Sequence, residues 1–178
     1  MIFSRLLLTI VLTCTLTRAE PVHAETVERA GDIVQIALPV TAYGMSIAFD
    51  DFEGARQLTR SFLATMTATM ALKYAVDAQR PDGGDQSFPS GHSAAAFAGA
   101  SFIQRRYGLR LGIPAYAAAS FVAWSRVDSD RHHVEDVIAG AGLAILSTTL
   151  LASPLPDGIS IAPGVSDGTF GLVLSGIW

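Results

Sequence analysis

Hydrophobic and polar positions along this chain alternate as long apolar stretches and short polar breaks, the pattern of packed helices rather than strands. Gly31 to Phe49 is an apolar stretch with Pro39 inside it, which a membrane helix or a kinked core helix tolerates. From Gln57 to Val76 leucines, methionines and threonines recur at helical spacing, until Pro81-Asp82-Gly83-Gly84 breaks the chain into a loop. Ser90 suits the N-cap of a helix running from about Gly91 to Arg106, whose many alanines permit close helix contact. Leu111 to Trp124 predicts another helix, with Pro114 near its first turn, and Val134 to Leu151 the last, with Gly140 and Gly142 on small-residue faces. No strand-period segment appears before residue 158. Beyond Pro154 the chain turns proline- and glycine-rich, and Thr169 to Trp178 alternates enough to form one short strand.

The beginning of the chain carries a different signal. Arg5, the apolar run Leu6 to Leu16 and the small-residue site Val22-His23-Ala24 together predict an export leader over residues 1–24. Retention of that leader as a first membrane helix is the alternative, since Ile2 to Leu16 is only modestly shorter than a span of roughly 20 residues. The expected organisation is then a leader (1–24), one helical domain (25–155) and a C-terminal tail (156–178).

Composition narrows the partners. Half of the 178 residues are hydrophobic and only 16% are charged, which makes membrane contact plausible. Arg5, Arg56 with Arg60, and Arg105 with Arg106 and Arg110 form three basic connections, placed on the cytoplasmic side by the positive-inside rule. The runs Ser93 to Ile103 and Leu111 to Ser125 are short for a bilayer, so a soluble periplasmic bundle stays open as the alternative. The net charge of -4, with no basic run interleaved with aromatics, argues against nucleic acid. Cys14 is the single cysteine and lies in the leader, leaving no internal disulfide or thiolate metal site; a lipoprotein signal around it is poor.

Three separated clusters carry chemistry: Lys73 six residues before Arg80-Pro81, then Pro89-Ser90-Gly91-His92, then Ser125-Arg126, five residues, His132, three residues, Asp136. They supply what phosphoryl transfer asks of a protein without a metal: fixed cations, backbone donors at a helix start, a nucleophile and an acid. His132 and Asp136 stand four apart at the expected head of a helix, so the carboxylate can hold the imidazole in one tautomer and leave its other nitrogen to attack phosphorus. His92 falls in the first turn after Ser90 and Gly91, where free N–H groups favour phosphate and the ring can protonate a leaving alkoxide. Lys73, Arg80 and Arg126 are the phosphate-binding cations, and Gly91 lets the backbone approach the ligand.

In order and without a substitution, these clusters resemble the three-part signature of the type 2 phosphatidic acid phosphatase family, which includes bacterial class A acid phosphatases and is related to vanadium haloperoxidases. The signature fills eleven positions between residues 73 and 136. The resemblance implies an all-α, helical phosphomonoesterase that works through a phosphohistidine and needs no metal or other cofactor. Joined to the helix pattern, it predicts a single bundle of about five core helices, membrane-embedded or membrane-associated, with a short irregular or single-strand tail.

The expected activity is hydrolysis of lipid phosphomonoesters or pyrophosphates at the outer face of a bacterial-type inner membrane. Its alternatives are a soluble non-specific acid phosphatase, a vanadate-dependent haloperoxidase and a non-enzymatic scaffold. Blander roles exist for each residue alone: Ser90 as a simple cap, Lys73 snorkelling, Arg80 as a surface charge, Arg126 with Asp136 as an ion pair. The acidic string Asp128, Asp130, Glu135, Asp136 invites a metal, but Arg126 and Arg131 sit within it and no calcium-loop glycine pattern is present. His133 is expected at the surface or behind the site.

Overall fold

A computed structural model describes residues 21–155, 160–166 and 169–175; residues 1–20, and with them most of the expected leader, lie outside the described residues. Five helices follow in order: α1 (Pro21–Ala48), α2 (Phe52–Val76), α3 (Gly91–Tyr107), α4 (Leu109–Asp128) and α5 (Val134–Leu151). α1 begins at Pro21, so the expected cleavage site falls in its first turn. The tail differs from the single strand expected, because β1 (Ser160–Ser166) and β2 (Thr169–Ser175) pair antiparallel with Ser166 opposite Thr169.

α3 is the axis of the bundle and packs against all four other helices. Its composition allows this: Ala94, Ala96, Ala98 and Ala100 are fully buried, and a Cβ on Gly99 would lie 2.6 Å from the backbone nitrogen of Pro39 in α1. Small residues thus let two backbones touch where leucine would hold them apart. Many buried positions carry hydroxyls, among them Ser61, Thr65, Thr69, Ser101 and Thr148, whereas Ile33, Ile36, Val40, Ile138, Leu146 and Leu150 face outward. Among the described residues one helix, Val134–Leu151, is long and apolar enough to cross a membrane.

The short turn between α1 and α2 and the junction of α3 with α4 meet at one end of the bundle. Asp51 caps α2 by accepting from Gly54 N at 2.9 Å and holds Arg106 through Nη2 at 2.6 Å and Nε at 2.7 Å. Tyr107 adds its hydroxyl at 3.0 Å. Arg106 also donates to the carbonyls of Ser153 and Pro154, tying the end of α5 to this cluster. Burial opposes ionisation of Asp51, yet the Arg106 contacts hold its carboxyl below the ordinary range. Two expectations change here: Arg105 and Arg106 lie in the last turn of α3, Arg106 as a buried ion-pair partner, and Arg110 lies in α4, rather than in a loop, and Arg56 and Arg60 lie within α2 rather than in a connection. The second follows from α2 starting earlier than its leucine pattern, at the Asp51 cap.

Candidate active site

At the opposite end, the N-termini of α1, α3 and α5 meet the C-termini of α2 and α4. Arg80, His92, Arg126 and His132 line one cavity of about 260 Å³ there, together with Glu28, Asp32 and Arg131. Two close backbone approaches assemble it. A Cβ on Gly31 would sit 2.1 Å from Ser125 Oγ and 2.8 Å from Arg126 Nη2, so α1 lies directly on the Arg126 side chain. A Cβ on Gly140 would sit 2.4 Å from the Ser90 carbonyl, so the head of α5 rests against the start of α3. Ser90 N donates to the Asp136 carbonyl at 2.9 Å across the same contact.

His132 is buried and lies just before α5, whose N-cap is His133. Its pairing with Asp136 therefore comes from the 129–133 turn, not from a shared helical face as the four-residue spacing suggested. The His132 Nδ1 stands 3.5 Å from Asp136 Oδ2 and 3.4 Å from Ser87 Oγ, and Ser87 donates its hydroxyl to the same carboxylate. Asp136 also accepts from His133 N at 2.9 Å. Nδ1 is thus occupied from behind while the ring reaches the cavity. Burial, with the charges of Lys73 and Arg80 nearby, pushes His132 down to about 4 against the pull of Asp136, so the ring is neutral at neutral pH. His133 has an exposed ring 3.5 Å from the same carboxylate oxygen.

Arg126 is buried and divided among neighbours: Nε to Ser125 Oγ at 3.2 Å, Nη2 to the Glu28 carbonyl at 2.5 Å, and Nη1 to Asp32 Oδ1 at 2.9 Å. That Asp32 oxygen is also 3.1 Å from His92 Nε2. Arg131 bridges Glu28 at 2.7 Å and Asp82 at 3.0 Å, closing the rim, while Arg80 donates to the Asp85 carbonyl at 3.1 Å.

The other sequence-predicted residues stand behind this cavity. Lys73 donates to the carbonyls of Gln86 at 2.5 Å and Ser87 at 3.5 Å, bracing the 77–90 loop. Ser90 caps α3, accepting from Ser93 N at 3.4 Å, and is fully buried. Around Gly91 the nearest atom to an added Cβ is Lys73 Cε at 3.9 Å, an ordinary contact distance. Among the described residues no group of three or more His, Cys, Asp or Glu is arranged to hold a metal, and the string from Asp128 to Asp136 does not gather into one.

Sequence reasoning missed Glu28, Asp32, Arg131 and Ser87 as site residues. Asp32 was discoverable, since it is the sole charge in the apolar stretch 31–49 and a lone charge in such a stretch marks function. Ser87 had no such signal.

Residues 76–156 match the model of the PAP2 superfamily. Lipid A 4'-phosphatase of Helicobacter pylori strain J99 is 30% identical over 141 residues, 71% of each chain. The chain belongs to the PAP2 superfamily. As a PAP2 protein it is a phosphoric monoester hydrolase, and the cavity lies at the ends of helices that the family signature marks. A lipid A 1-phosphatase of Porphyromonas gingivalis is 42% identical over 78 residues, 42% of this chain but 18% of that longer protein. Crystal structures carry the PAP2 fold further: LpxE of Aquifex aeolicus has TM-score 0.65 at 18% identity, covering 74% of this chain and 86% of that one. A transmembrane PAP2 type phosphatidylglycerolphosphate phosphatase from Bacillus subtilis has TM-score 0.59 at 26% identity, covering 74% and 76%.

Proposed function

We propose that this PAP2 enzyme removes a phosphate from lipid A or a closely similar lipid at the outer face of the inner membrane, without a metal and through a phosphohistidine on His132. The observation that carries this reading is the neutral, buried His132, held at Nδ1 by Asp136 and Ser87 beside Arg80 and Arg126. The Nε2 lone pair of His132 attacks phosphorus as the bond to the leaving oxygen breaks, and His92 delivers a proton to that oxygen. Water then attacks the phosphohistidine, His92 takes its proton, and phosphate leaves with His132 neutral again. Arg80 and Arg126 carry the charge of the equatorial oxygens, with Lys73 adding positive potential from behind.

The lipid part of the reading rests on two supports. Relatives in two species are named lipid A phosphatases. The bundle also exposes many large apolar side chains, Ile36, Val40, Ile138 and Leu150 among them, and buries several hydroxyls, as helices packed among lipid chains do. The basic side chains Arg56, Arg105 and Arg110 gather toward the end away from the cavity, which fits a cytoplasmic end opposite an outward-facing site.

The test is phosphate release from lipid A by the full chain in detergent, with and without chelator, read by mass spectrometry of the lipid. Loss of one phosphate, insensitive to chelator and absent in His132→Ala, is expected. Turnover confined to small soluble esters, or fully retained by His132→Ala, overturns the reading.

A further inference from the structure

A second cavity, of about 270 Å³, begins one helical turn beyond the phosphate cavity and is lined almost wholly by apolar side chains. Resting on the lipid reading above, we infer that it is a groove for one hydrocarbon chain of the phosphorylated substrate.

Three relationships carry this. Asp32 of the phosphate cavity and Ile36 of the groove are four apart on α1, and His92 and Ala95 are three apart on α3, so each helix shows both sites on one face. The two sites are thus offset by roughly one turn, about 5 Å along the helix axes. Second, the groove continues down α1 from Ile36 through Val40 to Tyr43, about 10 Å at the rise of a helix. It ends where the Tyr43 hydroxyl meets Thr59 of α2. Third, α1 and α2 each pack more closely on α3 than on each other, which leaves the trough between them, with Ala95 on its floor and Phe62 on its far wall.

The occupant follows from the chemistry of the two ends. An anion-binding cavity and a dry, elongated trough share one face, and a phosphorylated lipid presents a phosphate and a chain in that order. Ile36 and Val40 are exposed, so the trough opens sideways toward surrounding lipid and a chain enters without leaving an apolar medium. Hydrocarbon gains little by moving from lipid into such a groove. Its effect is therefore orientation of the phosphate against His132 rather than affinity.

Ala95→Leu narrows the floor, and Val40→Trp, at an exposed position, obstructs the same trough with no demand on the core. Both are compared with the wild type on lipid A in nanodiscs and on p-nitrophenyl phosphate. The expected result is a fall of about tenfold in the ratio of kcat/KM between chain-bearing and chainless substrates, in line with the cost of misplacing a reacting group. An unchanged ratio in Val40→Trp overturns the groove while leaving the lipid reading standing. A wild type that cleaves only p-nitrophenyl phosphate removes both. In parallel, a lipid phosphonate with a diazirine on its chain should label the peptides carrying Ile36 to Tyr43 or Phe62; labelling centred on α5 instead assigns the chain to bulk lipid contact and overturns the groove.

Discussion

One carboxylate oxygen of Asp32 lies 3.1 Å from His92 Nε2 and 2.9 Å from Arg126 Nη1, so an acidic side chain of α1 occupies the position between the proposed proton donor and the proposed phosphate-binding arginine. A substrate phosphate oxygen seeks those same two donors. Asp32 therefore competes with phosphate for them and adds a like charge to the cavity. Asp32→Asn should tighten binding of inorganic phosphate by about tenfold, a figure that allows for screening at a half-exposed position. Isothermal titration at two salt concentrations checks this, and weaker binding in the variant refutes the competition.

Ser87 shares Asp136 with His132. Ser87→Ala removes one donor from that carboxylate and one restraint on the ring, and should lower kcat by about tenfold with little change in KM. His132→Ala should abolish turnover and acid-labile labelling of the protein by radioactive phosphate. A Ser87→Ala enzyme with unaltered kcat removes Ser87 from the positioning of His132.

The His132 ring titrates at about 4, well below an ordinary histidine, because burial and neighbouring cations disfavour its charged form. In the unfolded chain the same ring takes its proton near 6.5. Between those values the folded protein binds fewer protons than the unfolded one, so this residue costs stability as pH falls from 6.5 toward 4. Carbon-13 NMR of labelled histidines should find one ring still neutral at pH 5, missing from His132→Ala. A His132 midpoint near 6.5 contradicts the buried site.

Gly31→Ala forces a methyl group into Ser125 Oγ and Arg126 Nη2. Overpacking of this kind costs about 1–3 kcal/mol. Displacement of the guanidinium should lower kcat/KM by roughly a hundredfold. Thermal unfolding and steady-state kinetics on the same preparation separate the two effects, and normal kinetics would show that α1 does not govern Arg126.

At the far end, Asp51→Ala leaves Arg106 buried without its carboxylate, while the carbonyls of Ser153 and Pro154 remain as acceptors. Breaking one side of such a pair costs about 3–5 kcal/mol. A lowered Tm in detergent, with kcat unchanged at low temperature, is expected, since this cluster lies at the end away from the cavity. A loss of kcat at full stability would place the cluster in the reaction instead.

How legible the molecule was depends on the range of the interactions concerned. The α5 boundaries, the Ser90 cap of α3 and the helical class could be read directly, because periodicity, capping and proline exclusion act within a few residues. The signature residues were legible for the same reason, as fixed types at fixed spacings. Their roles were less so: His132 meets Asp136 through a turn instead of along a helix. The sequence alone therefore determined the helices and the kind of chemistry. Only the tertiary structure decided that Asp32 faces His92 and Arg126, that Ser87 backs His132, and that an apolar trough adjoins the cavity lined by those residues. Those contacts join residues far apart in the chain, brought together where Gly31, Gly99 and Gly140 let helix backbones touch, and no local pattern encodes which surfaces meet.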